Sequence, residues 1–589
     1  MRCSLGGIQN RLFALGICLL AFAVARAARS AERPPNVLLV ITDDQGYGDL
    51  GAHGNRWLRT PHLDRFAKQS VELTNFHVSP VCSPTRASLM TGRYNYRTGV
   101  VDTFLGRSLM FADETTLAEM LAGAGYATGI FGKWHLGDNY PMRAIDQGFG
   151  EALVLKGGGL RQPSDPPGGN GYFDPPLMHN GRLEASSGYC SDIFTAAAME
   201  FIERHRTQPF FAYLAFNAPH TPLEVPEEEV EPYRQMHLTA DDGSGSGHPP
   251  DGPFDAEQTA KVYGMVANLD RNFGRLLAKI DELKLAANTI VIFLTDNGPQ
   301  QVRFNAGLRG RKGSVYEGGI RVPCFVRWPG RLAPGGKVER LCAHIDLAPT
   351  LLEACGVDPP AKVRFDGRSL WPLLTGQTDA WPERTLFFQW HRGDRPEPLR
   401  ACAAITERWK LVQPRGAGDK PPANTVCELY DLPTDPFEQH DLAADHPEVV
   451  ERLTRAYQAW FAAMRGERGF ALPRIAIGDE HENPVVLTRQ DWRGPSAGWK
   501  PGDVGHWDIE VARPGDYRIT LLFAAGNAAT LHCNIGDQEL SHAVGPAEHD
   551  HTFCAVPMTP GPARIEAWVE RKGRPSGVER CRVSYVGRL

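Results

Sequence analysis

The 589-residue sequence has no basic block: lysine plus arginine number 63 against 69 acidic residues, for a formal charge of −6. A nucleic-acid surface of the usual electrostatic kind is therefore not expected, because such surfaces concentrate cations against phosphates. Long apolar runs are missing too. The stretch Leu12–Val24 holds 13 residues, short of the ~20 that span a bilayer, and no stable membrane insertion is expected. Cysteine is sparse, at 12 residues without one C-x-x-C pair, which excludes zinc-finger and thioredoxin-like sites. With 42% hydrophobic and 22% charged residues, global disorder, collagen-like repeats and coiled coil are excluded, and the length suggests about three to four domains.

What is present starts with a targeting pattern. Met1, Arg2 and Arg11 precede Leu12–Val24, which ends in Ala25-Arg26-Ala27. This order of basic, apolar and small residues marks 1–27 as a cleavable signal peptide, so the mature chain is expected to be exported to the periplasm or beyond. Cys3 and Cys18 leave with it. An oxidising compartment permits bridges such as Cys533 with Cys554 or Cys581; buried unpaired thiols are the alternative.

From Asn36 to about Pro360, short branched apolar runs alternate with amphipathic stretches, the pattern of an α/β domain with a doubly wound, mostly parallel sheet. Strands are expected at Val37–Ile41, Tyr126–Phe131, Phe210–Phe216 and Thr289–Leu294, with helices at Thr116–Ala122 and Ala256–Leu283 and a surface insertion at Asp241–Pro253. In such sheets ligands bind beyond the carboxyl ends of the strands. Those ends read Thr42-Asp43-Asp44, Gly132-Lys133-Trp134-His135, Asn217-Ala218-Pro219-His220 and Thr295-Asp296-Asn297-Gly298. Asp43, Asp44, Asp296 and Asn297 offer hard oxygen ligands of the kind that select calcium or magnesium over zinc.

The sharpest local feature is Val81-Cys82-Ser83-Pro84-Thr85-Arg86, running on to Thr91-Gly92-Arg93. Pro84 announces a helix start, which sets Cys82 and Ser83 at its positive end, where anions are favoured and a thiol pKa is lowered. Cys82-Ser83-Pro84-Thr85-Arg86 with Thr91-Gly92-Arg93 resembles the C-x-P-x-R…TGR signature of the sulfatase family. Gly132-Lys133-Trp134-His135-Leu136-Gly137 resembles its second signature. The downstream glycine-rich one is matched by Leu308-Arg309-Gly310-Arg311-Lys312 and Glu317-Gly318-Gly319-Ile320-Arg321-Val322-Pro323. Asp43-Asp44-Gln45-Gly46, Pro219-His220-Thr221-Pro222 and Asp296-Asn297-Gly298 complete the set in order.

The resemblance implies an exported, calcium-dependent hydrolase of aryl or carbohydrate sulfate esters, in the alkaline phosphatase superfamily. It implies that a formylglycine-generating enzyme oxidises Cys82 to formylglycine. Asp43, Asp44, Asp296 and Asn297 would hold calcium, shared with residue 82. Arg86, Lys133 and Lys312 would bind and neutralise the sulfate; His220, with Lys312, would assist the leaving oxygen; His135 would deprotonate the second hydroxyl of the hydrated aldehyde. Ser83 and Thr85 would belong to helix entry and the modification motif, and Arg93 would orient the cysteine loop. Thr85 replaces the commoner serine. Where family members carry a further hydroxyl or histidine after the second signature, Leu155–Gly171 is glycine-rich, and substrate preference is expected to reside in such loops.

Beyond the α/β domain, taken as 28–375, residues 376–470 are expected to form a small α+β subdomain with the amphipathic helix Pro447–Met464. Residues 471–484 read as a linker and 485–589 as a jelly-roll-like β-sandwich, with strands around Trp507–Val511, Tyr517–Phe523 and Ile565–Val569. The sandwich weakly resembles carbohydrate-binding modules, or else Trp492, Trp507 and Trp568 are core residues. Two alternatives to sulfate hydrolysis remain: a phosphodiester or phosphonate monoester hydrolase of the same superfamily, or a glycan-binding protein. Oligomeric state is not legible.

Overall fold

The computed structural model describes residues 33–241, 247–377, 381–416, 418 and 426–587; the expected signal peptide and part of the 241–253 insertion lie outside them. A ten-stranded sheet organises the first part of the chain, in the order 337–338, 71–73, 324–327, 289–295, 36–42, 210–215, 127–133, 151–155, 177–179, 182–184. Its centre is parallel: Asn36–Thr42 pairs with both Thr289–Thr295 and Phe210–Ala215, and Ala127–Lys133 with Phe210–Ala215 and Glu151–Leu155. Cys324–Arg327 on one side and Leu177–His179 on the other run antiparallel.

Both faces are covered, as the unbroken apolar runs require. Val37, Leu39 and Ile41 pack with helices Cys82–Thr91, Leu117–Gly123 and Leu347–Cys355, whereas Leu38 and Val40 pack with helices Pro61–Lys68, Cys190–Arg204 and Ala256–Glu282. Registry then aligns the strand ends. Thr42 lies beside Thr295, Ile41 beside Ala215, and Gly132 beside Ala215, so the polar residues after them emerge on one rim. Gly132 has φ +122°, and a Cβ there would lie 1.8 Å from the Ala215 carbonyl oxygen; only glycine lets Lys133 end its strand this close to its neighbour.

A four-stranded antiparallel sheet, Leu386–Gln389, Cys402–Ile405, Trp409–Gln413 and Glu428–Asp431, packs with helix Pro447–Arg468. The helix buries Leu453, Tyr457, Trp460, Phe461 and Met464 against that sheet and against Tyr94, Tyr96 and Ile320 of the α/β part. Arg93 belongs to this junction: it pairs with Glu114 at 2.8 Å and with Glu467, so it ties the helix to the α/β part.

The last part is a two-sheet sandwich of six and four strands. The stretch expected to be a linker contributes a strand to it: Ile475–Ile477 pairs in parallel with Ile509–Val511, and both isoleucines are buried. The flanking Pro473 and Pro484 suggested an open segment, but inward alternation of the isoleucines decides the outcome. Trp492 and Trp507 are core residues; Trp568 points outward and stacks on His532 at 4.8 Å. Cys533, Cys554 and Cys581 are all free thiols, so no permitted bridge forms. The sandwich core does not end at the sandwich, since Leu105, Leu109 and Met142 of the α/β part pack into it.

Candidate active site

Helix Cys82–Thr91 begins at Cys82, and every residue in it is buried. Its entry points at the rim where the polar strand ends emerge. The Cys82 Sγ lies 3.5 Å from His135 Nδ1, while His135 Nε2 is 2.7 Å from the Thr103 carbonyl oxygen. A carbonyl can only accept, so Nε2 carries the proton and Nδ1 presents its lone pair to residue 82. Burial, with Lys133 nearby, holds the His135 pKa well below the ordinary imidazole value, which keeps the ring neutral. Ser83 Oγ donates to the His135 carbonyl at 2.6 Å and Thr85 Oγ1 to the Ser79 carbonyl at 3.2 Å, so these hydroxyls fasten the loop.

The expected lowering of the Cys82 pKa does not occur. Burial pushes the thiol up, and the attraction of Lys133 and Lys312 does not offset it. Desolvation of the thiolate is the larger effect here. Unmodified Cys82 is thus a protonated thiol and a weak nucleophile.

Asp43, Asp44, Asp296 and Asn297 converge beside it. Lys133 Nζ is 2.5 Å from Asp43 Oδ2, Lys312 Nζ 2.7 Å from Asp44 Oδ1, and Asn297 Nδ2 donates to Asp44 Oδ1 at 2.8 Å. Asp44 takes φ +65° and His135 φ +60°, left-handed backbone that side-chain-bearing residues adopt at a cost and that clusters at functional sites. Burial and the charge of Asp43 push the Asp296 carboxyl up to about 7. Two buried oxygens, Asp43 Oδ1 and Asn297 Oδ1, have no hydrogen-bond partner among the described residues. Asp43, Cys82 and Asp296 have ligand atoms within 4.8 Å of one another. Crowded carboxylates with orphaned oxygens fit a hard divalent cation, which would relieve both the repulsion and the missing bonds.

Arg86 departs from expectation. Its Nε and Nη2 donate to Asp296 Oδ2 at 3.1 and 2.9 Å and its Nη1 to the Lys133 carbonyl at 2.7 Å, and its side chain is buried beneath the site. One helical turn after Cys82, it points down to the strand ends, so it positions Asp296 and does not face the open space above. Lys312 and His220 do face it. His220 Nδ1 is 2.7 Å from the Thr221 carbonyl oxygen, which leaves Nε2 as acceptor, 3.8 Å from Asp44 Oδ2. A cavity of about 440 Å³ is lined by Cys82, His135, His220 and Lys312, with Phe104, Gln162, Trp390, Arg392 and Trp499 around its mouth.

Family models match this chain twice: Sulfatase over residues 35–357, and N-sulphoglucosamine sulphohydrolase, C-terminal, over 311–460. The chain belongs to the sulfatase family. This sulfatase is 33% identical to arylsulfatase A of Homo sapiens, over 78% of its own length and 94% of that protein's. It is 30% identical to steryl-sulfatase of Mus musculus, over 81% and 90%. Among solved structures it resembles Ps i-CgsB in complex with k-i-k-neocarrahexaose, with TM-score 0.64 and 25% identity over 74% of this chain and 94% of that one. It is a sulfuric ester hydrolase.

No signature pointed to the mouth residues, nor to Thr103. The run Gly157-Gly158-Gly159 was visible, but its partners were not. A Cβ on Gly158 would lie 2.3 Å from His135 Nε2, and one on Gly159 would lie 3.1 Å from His220. The glycines let the loop close over both imidazoles. Gly158→Ala is expected to displace the His135 ring and lower kcat about 10–100-fold, the scale of a misplaced catalytic group, with little change in the melting midpoint. Turnover and thermal melting of the purified variant check this; an unchanged kcat would mean that the ring is not held by this contact.

Proposed function

We propose that this sulfatase is an exported, calcium-dependent enzyme in which Cys82, matured to formylglycine by a separate modifying enzyme, is the nucleophilic centre for hydrolysis of sulfate esters. The observation that carries the reading is the convergence of Cys82, four oxygen-bearing ligands and the charged groups of Lys133 and Lys312 at one end of the sheet. Asp43, Asp44, Asp296 and Asn297 would hold calcium, which neutralises the clustered carboxylates and polarises a bound sulfate. Formylglycine would supply a hydrated aldehyde, with one hydroxyl to attack and a second to restart the cycle.

The residues around it have separate tasks. His135 takes a proton at Nδ1 from residue 82, since Thr103 holds its other nitrogen. Lys133 and Lys312 cancel the negative charge that repels nucleophiles from a sulfate ester. Lys312 Nζ and His220 Nε2 stand on the side from which the leaving oxygen departs; burial would lower the Lys312 pKa, but Asp44, Cys82 and Asp43 together more than offset this and raise it. Arg86 holds Asp296 in position. Boundaries near 375 and 470 divide the chain into catalytic, α+β and sandwich parts.

The test is sulfate release, by ion chromatography, from aryl sulfates and sulfated saccharides, with matched phosphate esters alongside. Enzyme co-produced with a formylglycine-generating enzyme is expected to release sulfate, to lose activity in a chelator and to regain it with calcium. Calcium at a hundred times its Kd should also stabilise the fold by about 2.7 kcal/mol, visible as a higher melting midpoint. Phosphate release without sulfate release would overturn the reading in favour of the phosphoester alternative.

A further inference from the structure

The mouth of the cavity is built from three parts of the chain far apart in sequence. Phe104 and its loop come from the α/β part, Trp390 and Arg392 from the α+β part, and Trp499 from the sandwich. Phe104 and Trp499 meet edge to face, with ring centroids 5.4 Å apart. Trp499 is 38% exposed although it is a large apolar side chain. The guanidinium of Arg392 lies 4.8 Å from the Trp390 ring centroid and 5.2 Å from that of Phe104. Neighbouring Arg107 is paired with Asp394 at 2.7 Å, whereas Arg392 is exposed and makes no ion pair among the described residues, with the Asp102 carboxylate near enough to feel its charge.

This wall is fixed in advance. Trp390 Nε1 donates to Asp102 Oδ1 at 2.9 Å, and a Cβ on Gly313, next to Lys312, would lie 2.5 Å from its ring. The sandwich also grips the Phe104 loop: Gln490 Nε2 donates to the Thr103 carbonyl at 3.2 Å, the Gly106 N–H to the Gln490 carbonyl at 2.9 Å, and Arg493 Nη2 to the Gly106 carbonyl at 2.5 Å. The Thr103 carbonyl is the one that sets the His135 tautomer.

We infer that Trp499, Phe104 and Arg392 form a subsite for a sugar unit of a sulfated saccharide, with a second sulfate or carboxylate of the substrate on Arg392. The inference rests on the sulfate-ester reading and names its substrate class. The exposed indole of Trp499 at the rim of a polar cavity suits the apolar C–H face of a pyranose, and an exposed planar guanidinium outside any ion pair suits an anionic substituent. The sandwich is therefore a wall of the active site and not a module that tethers the enzyme at a distance. Because the subsite is composite, only the whole chain contains it.

The test uses the full-length matured enzyme with 4-nitrophenyl sulfate and with disaccharides that carry one or two sulfates. The readout is the ratio of kcat/KM on saccharide to that on the aryl ester. Trp499→Ala is expected to lower this ratio about tenfold, mainly through KM. Arg392→Gln, at the cavity mouth and outside any ion pair the fold uses, is expected to erase the wild-type preference for the disulfated over the monosulfated disaccharide, and Arg392→Lys to restore part of it. Ratios within twofold of wild type, or a wild-type enzyme with no preference for a second sulfate, would overturn the inference. No sulfate release from any substrate, the aryl ester included, would instead count against the underlying sulfatase reading.

Discussion

Cys82→Ala is expected to lower turnover of every sulfate ester by roughly ten-thousandfold or more, the scale of a lost covalent nucleophile. Position 82 is the one toward which the site is aimed: His135 Nδ1 faces it at 3.5 Å, the helix starts there, and the cavity opens above it. Replacement of the aldehyde of matured residue 82 by a methyl group removes only one or two heavy atoms from a buried position, about 1 kcal/mol in packing, so the melting midpoint should move little. The loss of activity is thereby separated from unfolding. Sulfate release measured on wild type and variant, with formylglycine content of the wild type confirmed by peptide mass, decides the matter. A variant that retains more than about one per cent of wild-type turnover would show that residue 82 is not the nucleophile.

Lys410→Met is expected to destabilise the protein by about 3–5 kcal/mol, the penalty for removal of one partner from a buried ion pair. Lys410 is fully buried and lies 2.7 Å from Glu317 Oε1 and 2.9 Å from Glu438 Oε1, while His77 Nε2 approaches Glu317 at 3.1 Å. Burial first, and the charge of Glu317 as well, pushes the Glu438 carboxyl up to about 7, despite the attraction of Lys410. Two carboxyls already share one ammonium; without it, Glu317 keeps only His77 and the more distant Arg321, and Glu438 only the Glu317 N–H. The cluster joins the α+β sheet to the short helix Glu317–Ile320, and the Gly298 N–H donates to the Gly319 carbonyl, next to Asn297. Calorimetry should show an earlier transition for the α/β and α+β parts together. A shift equivalent to less than about 1 kcal/mol would mean that water reaches the cluster or that the carboxyls neutralise at little cost.

Much of the fold and the site was legible in the residues alone because it depends on local pattern. The runs Val37–Ile41, Phe210–Phe216 and Thr289–Leu294 could only be buried strands between two helical layers, and a parallel sheet places the residues after them on one rim. Asp43, Lys133, His220 and Asp296 each come just after such a run. Three expectations failed for non-local reasons. The thiol of Cys82 was expected to be acidified by its helix, but the layers packed over it desolvate it more strongly. Arg86 was expected on the sulfate, but one helical turn of rotation aims it at Asp296. Residues 471–484 were expected to be a linker, but two inward isoleucines found a strand partner in Ile509–Val511.

The sequence by itself determined the layered α/β core, the family and the set of polar groups at the strand ends, since hydrophobic period and motif order are properties of neighbours along the chain. Only the tertiary structure decided which nitrogen of His135 faces Cys82 and which cations reach the cavity. It also decided that the sandwich closes the site, through contacts such as Gln490 to Thr103 across 387 residues. Tautomer, desolvation and composite walls all arise from groups that meet only when the layers pack, so no stretch of sequence carries them alone.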